Sequence, residues 1–356
     1  MFGCVVQKQG DFKIAIANLR LTGFTVFETL NLEFSKAVNV IIGENGVGKT
    51  HILKLLYAAC CASNPGVSFS QKTVMCFRPD DYSISRLISR KQGVNTARVE
   101  VTSFKSENQA SSTLSMSFHK KTKKWEADVT GEEEWERQIE SLNSIFIPAN
   151  EILSNAYNLN AAVDRNNVIF DDTYLDLLNS ARIDISVGSD SAQKSRRLKH
   201  IEAITGGKVS YDRKRDEFYL RDGNSALEFS LVAEGIRKIC LLWQLVKNGY
   251  LEKGCALFWD EPEANMNPAN IPFIADLLLA LAREGLQIFI STHDYFLAKY
   301  LEMRSNDNEI RYCSLYRAER NLVNCEASGR FAELERNAIM NVFMDLYHEE
   351  VGRAME

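Results

Sequence analysis

Residues 38–50, VNVIIGENGVGKT, constrain this chain more than any other stretch. The apolar run 38–42 has the form of a buried parallel strand. It ends in Gly43, and Gly43-x-x-x-x-Gly48-Lys49-Thr50 is a Walker A phosphate loop. Gly43, Gly46 and Gly48 let the backbone turn tightly and aim N–H groups at phosphates. The expected nucleotide-binding set is therefore Gly43, Glu44, Asn45, Gly46, Val47, Gly48, Lys49, Thr50 and His51. Lys49 reaches β- and γ-phosphate oxygens, and the Thr50 hydroxyl ligates Mg²⁺. Ile52, Leu53, Leu55, Leu56 and Ala59 then recur at helical spacing. The start of that helix points its positive dipole end at the phosphates. ATP and Mg²⁺ are the expected ligands.

A second carboxylate-bearing strand completes the chemistry. Residues 256–261, ALFWDE, are an apolar run ending in Asp260 and Glu261, a Walker B pattern. Asp260 is expected to hold the metal or its water shell. Glu261 is expected to orient the attacking water and accept its proton. Further on, QIFISTHD is another apolar strand, ending in His293. An imidazole there can donate a hydrogen bond to a γ-phosphate or to the water. The plainer alternative is a capping or core histidine. Glu261, His293 and Lys49 form the expected catalytic set.

Composition bounds the rest. The chain has 356 residues, 45% of them hydrophobic, enough for a large core. A net charge of −5 and 25% charged residues exclude a nucleic-acid-coating or acidic disordered chain. No uninterrupted apolar segment is long enough to span a bilayer. The N-terminal residues lack the charge-then-apolar order of a signal peptide, so the chain reads as cytosolic, without a membrane partner. Its 8 cysteines show no Cys-x-x-Cys, and Cys60 and Cys240 fall in apolar helical patterns as buried thiols.

Residues 12–37 read as a β-meander, with breaks at Gly23 and around Thr29. Residues 97–130 return to antiparallel strands, and Trp135, Ile139 and Leu142 mark an amphipathic helix. Residues 150–205 are mostly helical by pattern, followed by a hairpin at 208–230. Three units are expected: 1–130, an N-terminal lobe with the Walker A loop and a β region; 131–230, an inserted, mostly helical subdomain with a hairpin; and 231–356, a C-terminal lobe.

Asp260-Glu261-Pro262-Glu263 is followed by Asn265-Met266-Asn267-Pro268, and here the pattern resembles a known family. The chain is similar to ABC-type ATPases of the soluble branch that contains chromosome-maintenance (SMC), RecF-like and OLD-like proteins. The last segment, NAIMNVFMDLYHEEV, resembles the ends of bacterial phage-defence-associated ATPases of that branch. The separation of the Walker motifs, more than two hundred residues, suits a head with an inserted helical subdomain. The resemblance implies an α/β P-loop NTPase fold: an ABC-ATPase head with an antiparallel β-subdomain and an inserted helical subdomain. It also implies a D-loop at 265–268, a switch role for His293, and a signature segment before the helix that leads into Walker B.

Gly235 aligns with the last glycine of that signature. Ala233 stands where the family has serine, and Glu234 where it has a glycine. The resemblance therefore implies slow or partner-gated turnover. Asn150 or Glu151 stands in for the family's Q-loop glutamine, or serves as an ordinary helix cap. Dimerisation with a second copy, each nucleotide sandwiched between one chain's phosphate loop and the other's Gly235 region, is implied as well. So is a role beside a separate effector, nuclease or toxin, in anti-phage defence, because the stretch after His293 is shorter than a Toprim nuclease requires. The alternative is RecF-like DNA repair. Basic groups at 120–124, 196–200 and 213–215 suit DNA phosphates, or are solvated loops of mixed charge.

Overall fold

The computed structural model describes residues 16–105, 110–139, 142–157, 159–165, 169–183 and 190–355. Cys4 and residues 12–15 of the expected first strand lie outside this set. The described residues begin with strands β1 (Ile16–Phe24), β2 (Phe27–Glu33) and β3 (Val38–Gly43), then helices α1 (Lys49–Cys61) and α2 (Phe69–Phe77). Strands β4 (Thr96–Ser103), β5 (Thr113–His119) and β6 (Asp128–Thr130), helix α3 (Glu132–Ile139) and strand β7 (Ser144–Ile147) follow. Next come helices α4 (Leu159–Asp164), α5 (Asp172–Ala181) and α6 (Ala192–Thr205), then strands β8 (Lys208–Asp212), β9 (Glu217–Asp222) and β10 (Ser225–Glu228). The last third alternates α7 (Glu234–Lys247), β11 (Ala256–Asp260), α8 (Ile271–Arg283), β12 (Gln287–Thr292), α9 (Tyr295–Arg304) and β13 (Ile310–Arg317). It ends in β14 (Val323–Ser328) and α10 (Ala338–Met355).

The central sheet has the order β14-β13-β3-β12-β11-β7. Its strands are parallel except β14, which runs antiparallel to β13. Parallel strands covered on both faces should be apolar throughout. Every residue of β3, β11 and β12 is indeed buried. Alternate side chains feed two cores. Val38, Val40 and Ile42 join Leu257, Trp259, Ile288 and Ile290 against α7 and α8. Ile41 joins Phe146, Phe258 and Phe289 against α1 and the second sheet.

That second sheet is antiparallel, in the order β2-β1-β4-β5-β6. The β1–β2 turn falls at Thr25, whose φ is +48°, with Phe24 paired to Phe27. This corrects the expected breaks. Thr29 lies inside β2, and Gly23 lies inside β1, where a Cβ would sit 2.3 Å from the Thr96 carbonyl oxygen. The two sheets are tied by Gln287, whose side chain accepts from Ile16 N–H at 2.8 Å and donates to the Ile16 and Ser35 carbonyls, each at 2.8 Å.

The third sheet, β10-β9-β8, packs beside α5, α6 and α7. Ionic contacts fasten α5 to the phosphate-loop helix and its neighbour. Lys54 pairs with Asp171 at 2.5 Å, Lys72 reaches Asp172 and Asp176 at 2.6 Å each, and Tyr57 donates to Asp176 at 2.7 Å. Within the segment 131–230, β7 is a strand of the central sheet, hydrogen-bonded to β11. Its largely apolar run at 144–148 reads as a buried strand in the sequence, and its apolar side chains lie in the core. Among the described residues no helix is long and apolar enough to cross a membrane.

Candidate nucleotide site

Three strand ends build the site. The register sets Asp260 of β11 opposite Ser291 of β12, and Ser291 opposite Ile41 of β3. Residues distant in sequence thus share one row at the carboxyl edge, where open α/β sheets bind ligands. Gly43, Gly46 and Gly48 have φ of +143°, +76° and +94°. Only glycine adopts such a run without strain. Glu44, Asn45 and Gly46 form the exposed apex, while Val47 is buried.

Lys49 is buried, and its Nζ donates to the Gly43 and Glu44 carbonyls at 2.9 and 3.0 Å. Burial lowers its pKa to about 8, opposed by Glu261, Asp260 and Glu263. A buried ammonium in that state gains from an added polyanion. The His51 ring is engaged with Phe77, centroids 5.4 Å apart, and burial together with Lys54 lowers its pKa to about 4. Its backbone N–H, in the first turn of α1, is the group left to meet a phosphate.

Thr50 Oγ1 donates to Asp260 Oδ2 at 2.8 Å, and Ser291 Oγ donates to Asp260 Oδ1. This hydroxyl–carboxylate pair fits Mg²⁺. That ion takes a few hard protein oxygens and completes its shell with phosphate and water.

Glu261 follows directly. Its φ of +47° is unusual for a residue with a side chain, and its N–H donates to the Ser291 carbonyl at 3.1 Å. Such backbone costs of order 1–3 kcal/mol and persists where the surroundings enforce it. Glu261 Oε1 lies 3.3 Å from His293 Nε2. Burial lowers the His293 pKa, Lys49 adds to the shift, and Glu261 and Asp260 oppose it. The imidazole is therefore neutral at neutral pH, with one nitrogen to donate and one to accept.

Three contributors escaped the sequence reading. Ser291 holds Asp260, and its signal was the Ser-Thr pair before His293. Glu263 accepts from Thr292 Oγ1 at 2.7 Å and from the His293 N–H at 2.9 Å, and burial raises its pKa. Lys238 is buried on α7 and donates to the Ala264 carbonyl at 2.7 Å; burial lowers its pKa. A lysine in an apolar helix carried no sequence signal beyond its misfit.

The α7 start is built differently. Ala233 caps the helix with no side-chain hydrogen bond. Gly235 packs on the 265–268 loop: a Cβ there would lie 2.7 Å from the Asn265 carbonyl oxygen. Glu234 accepts from Asn265 Nδ2 at 2.9 Å. Glu151 pairs with Arg237 of α7 at 2.6 Å, with its side chain 2% exposed. Asn150 is exposed. Of the basic groups, Arg197 is bound to Glu284 and Arg215 donates to Tyr219, while Lys120, Lys121, Lys123 and Lys124 are exposed.

Comparisons with known proteins agree with this geometry. DNA replication and repair protein RecF from Exiguobacterium sp. is 32% identical over 78 residues, 22% of this chain and 21% of that one. The Bacillus subtilis strain 168 RecF is also 32% identical over 78 residues, with the same shares covered. The chain thus spans about a fifth of the length of the curated relatives it matches. A crystal structure of an Smc head bound to the C-terminal winged-helix domain of ScpA superposes with a TM-score of 0.58 at 15% identity, covering 88% of this chain and 97% of that one. The Smc head with coiled coil and joint from Pyrococcus yayanosii gives 0.58 at 10% identity, covering 94% and 100%. The fold is that of an SMC-type, P-loop ABC-ATPase head. One family profile matches residues 38–299, a span that runs from β3 through the His293 strand end into α9. By that match the chain belongs to the family described as AAA domain, putative AbiEii toxin, Type IV TA system.

Proposed function

We propose that this chain binds ATP with Mg²⁺ and hydrolyses it as an ATP-gated dimeric clamp. The observation that carries the reading is the Thr50–Asp260 contact of 2.8 Å beside the Glu261–His293 pair at 3.3 Å. The loop N–H groups from Gly43 to His51 and the Lys49 ammonium cradle the triphosphate. Thr50 and Asp260 would hold the metal, which would supply charge neutralisation of the triphosphate. Glu261 orients water in line with the γ-phosphorus and accepts its proton. The new P–O bond forms as the bridging bond to the β-phosphate breaks and ADP leaves. Neutral His293 donates to the γ-phosphate or the water.

The uncapped α7 start, with Gly235, meets the γ-phosphate of a second copy. The Ala233 and Glu234 departures make turnover slow or partner-gated. In the biological role, the clamp senses or regulates within an anti-phage defence system whose toxic chemistry sits on a separate effector. The family description, which names a putative toxin of a type IV TA system, supports membership of a toxin-bearing module and not a particular division of labour within it. Glu261→Gln should hold ATP and accumulate dimers; a monomer with bound ATP in light scattering would sink the clamp.

A second reading, RecF-like action on DNA, is favoured by the 32% identity over 78 residues with RecF. DNA-stimulated turnover, with affinity falling steeply in salt, would select it.

A further inference from the structure

Strand β13 runs parallel to β3, with Leu315 paired to Gly43 where β3 gives way to the phosphate loop. A Cβ on Gly43 would lie 2.2 Å from the Leu315 carbonyl oxygen, so the two backbones touch there. Two residues on, at the end of β13, Arg317 Nη2 donates to the Gly46 carbonyl at 3.0 Å. Arg317 is exposed, and its Nη1 also donates weakly to Asn321 Oδ1 at 3.5 Å. It lies beyond the residues matched by the family profile.

A trans peptide points its carbonyl and the following N–H in opposite directions. Holding the Gly46 carbonyl toward β13 therefore turns the Val47 N–H away from it. Gly46, at φ +76°, is the loop residue freest to flip. We propose that Arg317 is a positioning residue for the phosphate loop: it locks the Gly46–Val47 peptide in the orientation that binds a nucleoside triphosphate. This deepens the ATP-binding reading and rests on it. The guanidinium also adds positive charge beside the loop, where a triphosphate would sit.

The test compares wild type, Arg317→Ala and Arg317→Lys on the full chain. Arg317→Ala should weaken ATP binding about tenfold, the size of one lost charge-assisted hydrogen bond. Arg317→Lys should recover part of that loss. The rate at saturating ATP should stay within about twofold of wild type. Amide exchange at Val47 in nucleotide-free protein should rise in Arg317→Ala, while its melting temperature stays put, since the residue is exposed. Unchanged ATP affinity and unchanged exchange at Val47 would overturn the proposal. So would a fall in the saturated rate at constant affinity. If wild type itself binds no ATP, the nucleotide reading fails first, and the exchange measurement still judges the peptide lock.

Discussion

Helices α1 and α7 both start beside a glycine, yet their starts are constructed in opposite ways. At α1, Gly48 caps the helix in a left-handed conformation, and Lys49, Thr50 and Asp260 meet around it. At α7, Ala233 contributes no capping side chain, and Gly235 is present because the Asn265 carbonyl presses on it. Glu234 is tied to Asn265, so its charge is directed onto the chain's own loop. The α1 end carries its chemistry in its own sequence. The α7 end takes its shape from a contact with residues some thirty positions away.

The first way to break this contrast is Glu261→Gln. It should cut hydrolysis by roughly 10²–10⁴-fold while ATP binding changes little. Single-turnover phosphate release measures it, and wild-type-like turnover would remove Glu261 from the chemistry.

The next is pH. With the Lys49 pKa near 8 in the nucleotide-free protein, the ammonium is present below pH 8 and lost above it. A bound polyanion holds it protonated to higher pH. ATP affinity should therefore be flat below pH 8 and fall up to about tenfold per unit above it. Titration calorimetry from pH 7 to 9.5 decides this, and a flat profile would place Lys49 away from the phosphates.

Gly235→Ala sharpens the other side. Its methyl group meets backbone at 2.7 Å, and the 265–268 loop must shift. A loss of about 1–3 kcal/mol is expected in denaturant unfolding. Affinity of the monomer for ATP should hold, since the phosphate loop is untouched.

The smallest expected effect belongs to Ala233→Ser. A hydroxyl at that cap should stabilise α7 by about 0.5–1 kcal/mol. It should also raise the rate of phosphate release if the α7 start meets a γ-phosphate in a second copy. Stabilisation without a rate change would confine Ala233 to capping.

Much of the nucleotide site was readable because its chemistry is local. Gly43 to Thr50 sit in one short loop. Asp260, Glu261 and His293 each end a strand so apolar that no other element suits it. The parts that were not readable depend on which strands lie side by side. Ser291 matters because β12 pairs with β11 in a register that sets it against Asp260. Glu263 matters because the chain turns back so that its carboxylate meets the His293 N–H. The break at Thr25 was missed because a two-residue turn between Phe24 and Phe27 left no glycine or proline at its centre.

The amino-acid order alone determined the phosphate loop, the acid-tipped strand and the histidine-tipped strand. Glycine at left-handed positions and unbroken apolar runs admit few other structures. Tertiary structure alone decided that β7 is the edge of the central sheet, that Gly235 answers to Asn265, and that Arg317 reaches the loop. Those are matters of register and close approach between distant segments, and a hydrogen bond across a sheet leaves no periodic mark in the sequence.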